Sequence, residues 1–455
     1  MNKLLAVFIF ITACTSAQNI DLGNEAKVVT NVNVINVRDG SVLSVQNVFI
    51  DSGKIVKISD QIGIPDGVEQ INGEGKYLLP GLSEMHAHIP SPQWGRSNLN
   101  ETLFLYLSNG ITTIRGMLGH PVHLELREQA MNNEILSPRI FTSSPSVNGN
   151  SVKTIEEARE KVAAHKEAGY DFLKMHPGIK LEVFNEIIKT ANEVGIPYAG
   201  HVSVDVGIRK ALESGYASVD HIDGFLEGLV PESAGVDPSA NGFFGFDFTD
   251  LADLKNVDEL VALSKEKKVW IVPTQSLFER WFSDLDADSL GSTPEMQYMP
   301  KSTVESWVNG KKGLVNSDRY NPEQWVRFDQ IRKKLLFALQ QDGHGILLGS
   351  DAPQIFNVPG FSIHHEIKGM LNAGITPLQA LQAGTVNPAK FFDMEGQFGE
   401  IIEGSSADFL LLKANPLDDM EALRNHDGVM VRGQWLSREE IDTQLAEIAK
   451  NAANQ

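Results

Sequence analysis

The chain has 455 residues, and 39 Lys plus Arg against 59 Asp plus Glu give a formal net charge of −20. A surface this acidic repels phosphate backbones and anionic lipid, which excludes nucleic-acid binding by counterion release. Hydrophobic residues at 42% exclude wholesale disorder, and a single cysteine excludes an intramolecular disulfide or a multi-cysteine metal site.

Lys3 is followed by an apolar run from Leu4 to Ala13. Ten residues are too few to cross a bilayer, which takes about 20. Small residues follow, so 1–18 reads as a secretory signal. Ile11-Thr12-Ala13-Cys14 resembles the lipobox of bacterial lipoproteins, in which the cysteine is acylated. On that reading the chain crosses the inner membrane and is periplasmic or lipid-anchored, touching the membrane only through Cys14. The alternative is cleavage after Ala17, which removes Cys14. No later stretch reaches 18 apolar residues, so no transmembrane helix is expected.

Residues 24–80 alternate Val and Ile with polar residues, and Ser52-Gly53 fits a tight turn between Ile50 and Ile55. They read as the N-terminal part of a small β-sandwich. ADFLLLK and GVMVRGQWL, within 393–440, supply its C-terminal part, and 441–455 read as a helix and a frayed tail. Between them, 81–392 alternate strand and helix. TIEEAREKVAAHKEAG opens with a capping box from Thr154 to Glu157, and LEVFNEIIKTANEVG stops at Gly195. Strand candidates are YLLPGLSEMHAH, ITTIRG, RIFTSS, DFLKMH, YAGHV, SVDHI, VWIVPT and ILLGSD. Eight strands alternating with helices predict an α/β fold, a (β/α)8 TIM-like barrel. Two long connections, 223–256 and 276–321, read as lids or binding loops.

Ionisable groups sit at the ends of these apolar strands: His86 and His88, Lys174 and His176, His201, His221, and Asp351 after Ser350. The C-terminal strand ends of such a barrel converge on one face. Histidines and a carboxylate gathered there suit a divalent metal, and zinc fits imidazole and carboxylate ligands. His86 and His88, at i and i+2, lie on one side of a strand. A cationic lysine beside a metal is electrostatically wrong. Burial favours the neutral amine, which reacts with CO2 to form a carbamate, an anionic ligand able to bridge two ions. Two ions then activate one water, and Asp351 suits proton transfer to the leaving nitrogen. Singly, each residue has a plainer explanation: a core histidine, an ion-paired lysine, or a helix cap at Asp351.

PGLSEMHAH resembles the strand-one signature of the amidohydrolase superfamily. GITTIRG, Lys174 in DFLKMH, His201, His221 in SVDH and Asp351 in GSDA resemble its later motifs in order. The likeness covers roughly residues 25–440 and is greatest to the imidazolonepropionase-like branch that includes metal-dependent Xaa-Pro dipeptidases. It implies that His86, His88 and Asp351 hold one ion, that His201 and His221 hold a second, and that carboxylated Lys174 bridges the two. It also implies that His364, in GFSIHHEI, aligns with a histidine common after strand eight, leaving His365 solvated. Arg115 faces either a substrate carboxylate or an acidic neighbour, and His176 and Asn148 are weaker substrate-side candidates. Glu84 stands where the family has Asp, and Ser203 stands where dipeptidases carry His or Tyr.

The expected activity is hydrolysis of an amide bond in a small peptide-like or N-acyl amino-acid substrate by a binuclear centre. Alternatives are a mononuclear cyclic-amide hydrolase or deaminase, an ester, lactone or phosphotriester hydrolase, and a surface-anchored binding protein without catalysis. The expected partner is a small molecule, and a homo-oligomer is compatible with the sequence.

Overall fold

The computed structural model describes residues 20–92, 97–318 and 320–455. The leader and Cys14 lie outside the described residues. Among the described residues, no helix is long and apolar enough to cross a membrane.

Seven parallel strands lie side by side in chain order: Leu82–Ala87, Ile111–Gly116, Arg139–Val147, Phe172–Met175, Tyr198–Gly200, Ser218–Asp220 and Trp270–Val272. Most are buried along their whole length, as strands covered on both faces must be. The expected eighth strand, ILLGSD, closes the barrel through sparser bonds. Leu347 N donates to Ile271 O at 2.8 Å, Met85 N to Leu348 O at 2.8 Å, and His88 N to Ala352 O at 2.8 Å.

The anticipated helices form where their end signals lie. Thr154 and Glu157 make a reciprocal capping box on Ile155–Glu167. Leu181–Val194 ends at Gly195 in the left-handed conformation, and buries Val183, Phe184, Ile187 and Ala191.

Both chain ends build the second sheet. Its order is Gln434–Ser437, His426–Val431, Phe409–Leu412, Tyr77–Pro80, Lys27–Ile35, Val42–Asp51 and Lys54–Ser59, with Glu69–Asn72 also pairing with Lys27–Ile35. Ile50 pairs with Ile55, and the turn residues Ser52 and Gly53 have φ of 50° and 76°. The C-terminal helix Arg438–Ala453 runs further than the expected frayed tail. Its Ile441, Leu445 and Ile448 pack on Phe104 and Leu105 of the first barrel helix.

Two expectations are corrected. YLLPGLSEMHAH is two strands: Tyr77–Pro80 pairs antiparallel with Phe409–Leu412, and Leu82–Ala87 starts the barrel. Gly81 hands the chain from one sheet to the other, its N–H bonding Asp408 O while Leu82 N bonds Gly110 O. Residues 276–321 are largely helical, in Gln275–Phe282, Ala287–Gly291 and Lys301–Val315. Their ends are satisfied from far away in sequence. Glu366 accepts from Gln275 N and Ser276 N at 2.9 and 2.7 Å, while Lys311 Nζ donates to the Arg280 and Ser283 carbonyls.

A Cβ at Gly81 would lie 2.0 Å from Thr112 Oγ1. Gly81→Ala is therefore expected to destabilise the chain by about 2 kcal/mol or more, read as a lower denaturant midpoint than wild type. An unchanged midpoint would contradict the close approach.

Candidate metal centre

Six side chains from five barrel segments or their exits meet at one end of the barrel. His88 Nε2 lies 2.7 Å from Asp351 Oδ1, and His86 Nε2 lies 3.5 Å from the same oxygen. Lys174 Nζ is 3.4 Å from His86 Nε2. The His221 ring is 4.5 Å from both the His86 and His201 rings. One ligand atom from each of His86, His221 and Asp351 falls within 4.8 Å of the others. This trio includes residues that the sequence reading assigned to different ions. His221 and Asp351 both have φ of 64°, left-handed backbone that turns each side chain inward off its strand end.

The sequence reading missed the groups that aim these imidazoles. Asp220 Oδ2 lies 3.0 Å from His86 Nδ1, leaving His86 Nε2 toward the centre. Both atoms are buried, and their alignment is too poor for a true hydrogen bond. Asp223 Oδ2 is 3.0 Å from His201 Nδ1 and accepts from Val202 N at 3.0 Å. Thr274 Oγ1 is 2.8 Å from His221 Nδ1. A carboxylate behind a ligand histidine fixes its ring and raises its basicity. The available signal was Asp220-His221-Ile222-Asp223, two acids bracketing a strand-end histidine. Glu84 does orient its neighbours: it accepts from His86 N at 3.2 Å and from Ser350 N and Oγ, both at 2.7 Å.

The electrostatics suit a cation. Burial drives His86 and His221 well below their ordinary values, which keeps both imidazoles neutral and their lone pairs available. Burial also pushes the Lys174 ammonium down to about 8, against the pull of Asp220 and Asp351. For Asp220, burial acts upward, but Arg115 and Lys174 outweigh it and hold the carboxyl below its usual value. Neutral imidazoles held from behind, a lysine whose ammonium is weakened by burial and a converging carboxylate make a donor set that fits divalent ions.

Other sequence candidates lie elsewhere. Arg115 is fully buried and spent inside the barrel: its Nε donates to Met85 O at 2.6 Å, Nη1 to Ser218 Oγ at 2.9 Å and Nη2 to Asp220 Oδ1 at 3.0 Å. It serves the acidic neighbour, not a substrate carboxylate. His364 faces Asn109, with Nε2 3.1 Å from its Oδ1, away from the centre, because its helix packs that face inward. His365 is not solvated; its Nε2 lies 2.8 Å from Glu295 Oε1. His176 stays at the rim, its ring 5.0 Å from that of His201 and its Nδ1 2.5 Å from Ser146 Oγ. Asn148 is engaged by the same serine, donating to Ser146 Oγ at 2.7 Å. Ser203 donates to His176 O and accepts from Ile179 N.

The amidohydrolase family model matches residues 77–436. The chain belongs to the amidohydrolase family. The family is metal-dependent. It is 21% identical over 402 residues to an adenine deaminase of Clostridium botulinum, covering 85% of this chain and 54% of that one. A dihydroorotase of Carboxydothermus hydrogenoformans is 47% identical over 64 residues, 14% of either chain. The chain thus spans about half the length of the deaminases it matches. Among solved structures, a bottromycin amidohydrolase superposes with a TM-score of 0.74 at 21% identity, over 94% of this chain and 91% of that one. A prolidase from Bifidobacterium longum gives 0.65 at 22%, over 93% and 98%.

The two acids predict separable effects. Asp223→Asn is expected to weaken metal retention about 10- to 100-fold by loosening His201, and Asp220→Asn by a similar factor through His86. Chelator competition followed by elemental analysis measures both, and wild-type retention in both variants would refute the orienting role.

Proposed function

We propose that this amidohydrolase is a binuclear enzyme that cleaves an amide C–N bond in a small peptide-like or N-acyl substrate. The observation that supports this most is Lys174, fully buried and 3.4 Å from His86 Nε2, with its ammonium depressed by burial. A lysine held there as a cation would repel a metal, whereas its carbamate would bridge two. His86, His88 and Asp351 would hold one ion, His201 and His221 the other, and carboxylated Lys174 both. Bound divalent ions, zinc by the chemistry of the ligands, supply Lewis acidity and acidify a water for attack.

The chain's own residues do the rest. Asp351 takes the proton of the attacking water at a carboxylate oxygen and returns it to the leaving nitrogen. Asp223 and Thr274 hold two imidazoles by hydrogen bonds and the Asp220 carboxylate faces a third, so little reorganisation accompanies reaction. Ser203 is engaged with the backbone at 179 and with His176, so it makes a poor carbonyl clamp. His176, beside His201, is the better-placed polar group on the substrate side. Burial drives this imidazole down to about 2, so it stays neutral in the working range and acts by hydrogen bonding. Export to the cell envelope through the N-terminal leader, with an anchor at Cys14, belongs to the same proposal.

A second reading, deamination of a purine-like ring at a single ion, draws on the adenine deaminases among the relatives. Metal content separates the two, with about two ions per chain for the first and about one for the second. Lys174→Ala is expected to lose the bridge, fall below two ions and lose at least 100-fold in kcat on an amide panel. Two retained ions and wild-type turnover in that variant would end the carbamate proposal.

A further inference from the structure

The segment 242–245 crosses the top of the metal centre in a strained form. Gly242, Phe244 and Gly245 have φ of 70°, 54° and 79°. Left-handed backbone is natural for glycine and costly for phenylalanine, and it persists only where its surroundings fix it. The surroundings do fix it. Asn241 Nδ2 donates to the half-buried Glu227 at Oε1 over 2.7 Å, and Gln324 Nε2 donates to Phe246 O at 2.6 Å. A Cβ at Gly245 would stand 2.9 Å from Glu227 Oε2, so the strap closes down on Glu227 with no room for a side chain. The Phe243 ring packs on Trp281 and Phe282 at 4.9 and 5.4 Å.

The strain delivers one ring. Phe244 lies 5.7 Å from the His201 ring, 5.4 Å from the His221 ring and 5.0 Å edge-on from Phe278, and it remains partly exposed. Phe243 and Phe278 pack on it edge-on at 4.4 and 5.0 Å, and the two histidines border it as well. On the His88 side, a cavity of about 710 Å³ lined by Leu105, Met299, Trp307 and Pro359 leaves room for the rest of a ligand.

We propose that Phe244 is a specificity-determining residue: its ring forms the wall against which a planar, apolar group of the substrate stacks beside the scissile C–N bond. The proposal rests on the hydrolase reading above and narrows its substrate class to amides flanked by an aromatic group. Offset or edge-on stacking supplies the selection.

The test uses metal-reconstituted wild type, Phe244→Ala and Phe244→Gly. Benzohydroxamate and acetohydroxamate, two metal-binding amide analogues, serve as probes, with dissociation constants from calorimetry and metal content measured on the same samples. Wild type should prefer the phenyl probe roughly tenfold. Both variants should lose that preference while keeping their ions. Phe244→Gly relieves the left-handed strain, so its melting temperature should not fall below that of Phe244→Ala. A phenyl preference that survives in both variants assigns selection to the His88 cavity and overturns the proposal. Wild-type protein that carries its ions but binds both probes equally, or neither, also overturns it and leaves the hydrolase reading standing. A chain that takes up no ions brings down that reading as well.

Discussion

The centre depends on one seam, where the last barrel segment lies against the first strand. Asp351 N donates to His86 O at 3.0 Å, and that bond sets the Asp351 carboxylate beside His86 and His88, 263 positions away in sequence at its closest contact. Glu84 fastens the seam by accepting from both sides, His86 N and Ser350. Burial pushes the Glu84 carboxyl up to about 8 against the opposing pull of these donors. A glutamate reaches one methylene further than the family's aspartate, which suits a bond across strands. Gly349 allows the approach, since a Cβ there would stand 2.8 Å from His86 N.

Behind the seam, buried ionisable groups are held against one another. Arg115 pairs with Asp220, Asp220 faces His86 and Lys174, and Lys174 approaches the centre that Asp351 closes. Such groups are tolerated in a barrel core only as a set, because an unpaired buried charge costs several kcal/mol. Arg332 shows the same economy without a carboxylate. It donates to His221 O at 2.7 Å, Pro273 O at 2.9 Å and Gln275 Oε1 at 3.1 Å, and stacks 3.6 Å over Phe278. It thereby braces the left-handed turns at His221 and Thr274, which aim the His221 imidazole.

The barrel and its strand-end side chains were legible because both follow from local rules. Apolar runs ending in His86, His201, His221 and Asp351 mark where buried backbone meets a polar face, and Thr154 and Gly195 mark helix ends. What escaped has long-range causes. The helix at 275–282 is capped by Glu366 and Lys311, more than 25 residues away in each case, so its sequence alone resembles a loop. Arg115 stays open between a substrate carboxylate and an acidic neighbour in the sequence, because strand alternation gives a direction without naming a partner, and the partner, Asp220, lies 105 positions on. His364 fits a family pattern by position, yet its helix turns it onto Asn109.

The same contrast explains how chemistry and selectivity are divided in this molecule. The polar centre is built on strand ends that share bonds with both neighbours, so a shift in one ligand strains the whole ring of strands. The wall above it is built from 241–246, a segment that touches the barrel through Glu227, Gln324 and a cluster of aromatic rings. Its ring contacts are apolar, and apolar packing accepts exchange of one ring for another of similar volume more readily than a charge network does. Arg115 marks the boundary: a guanidinium at the second strand's end is drawn into the network beneath and is lost to recognition. Substrate choice therefore falls to the inserted segments. A fold of this kind can keep one hydrolytic centre and change what it admits by altering a strap laid over it.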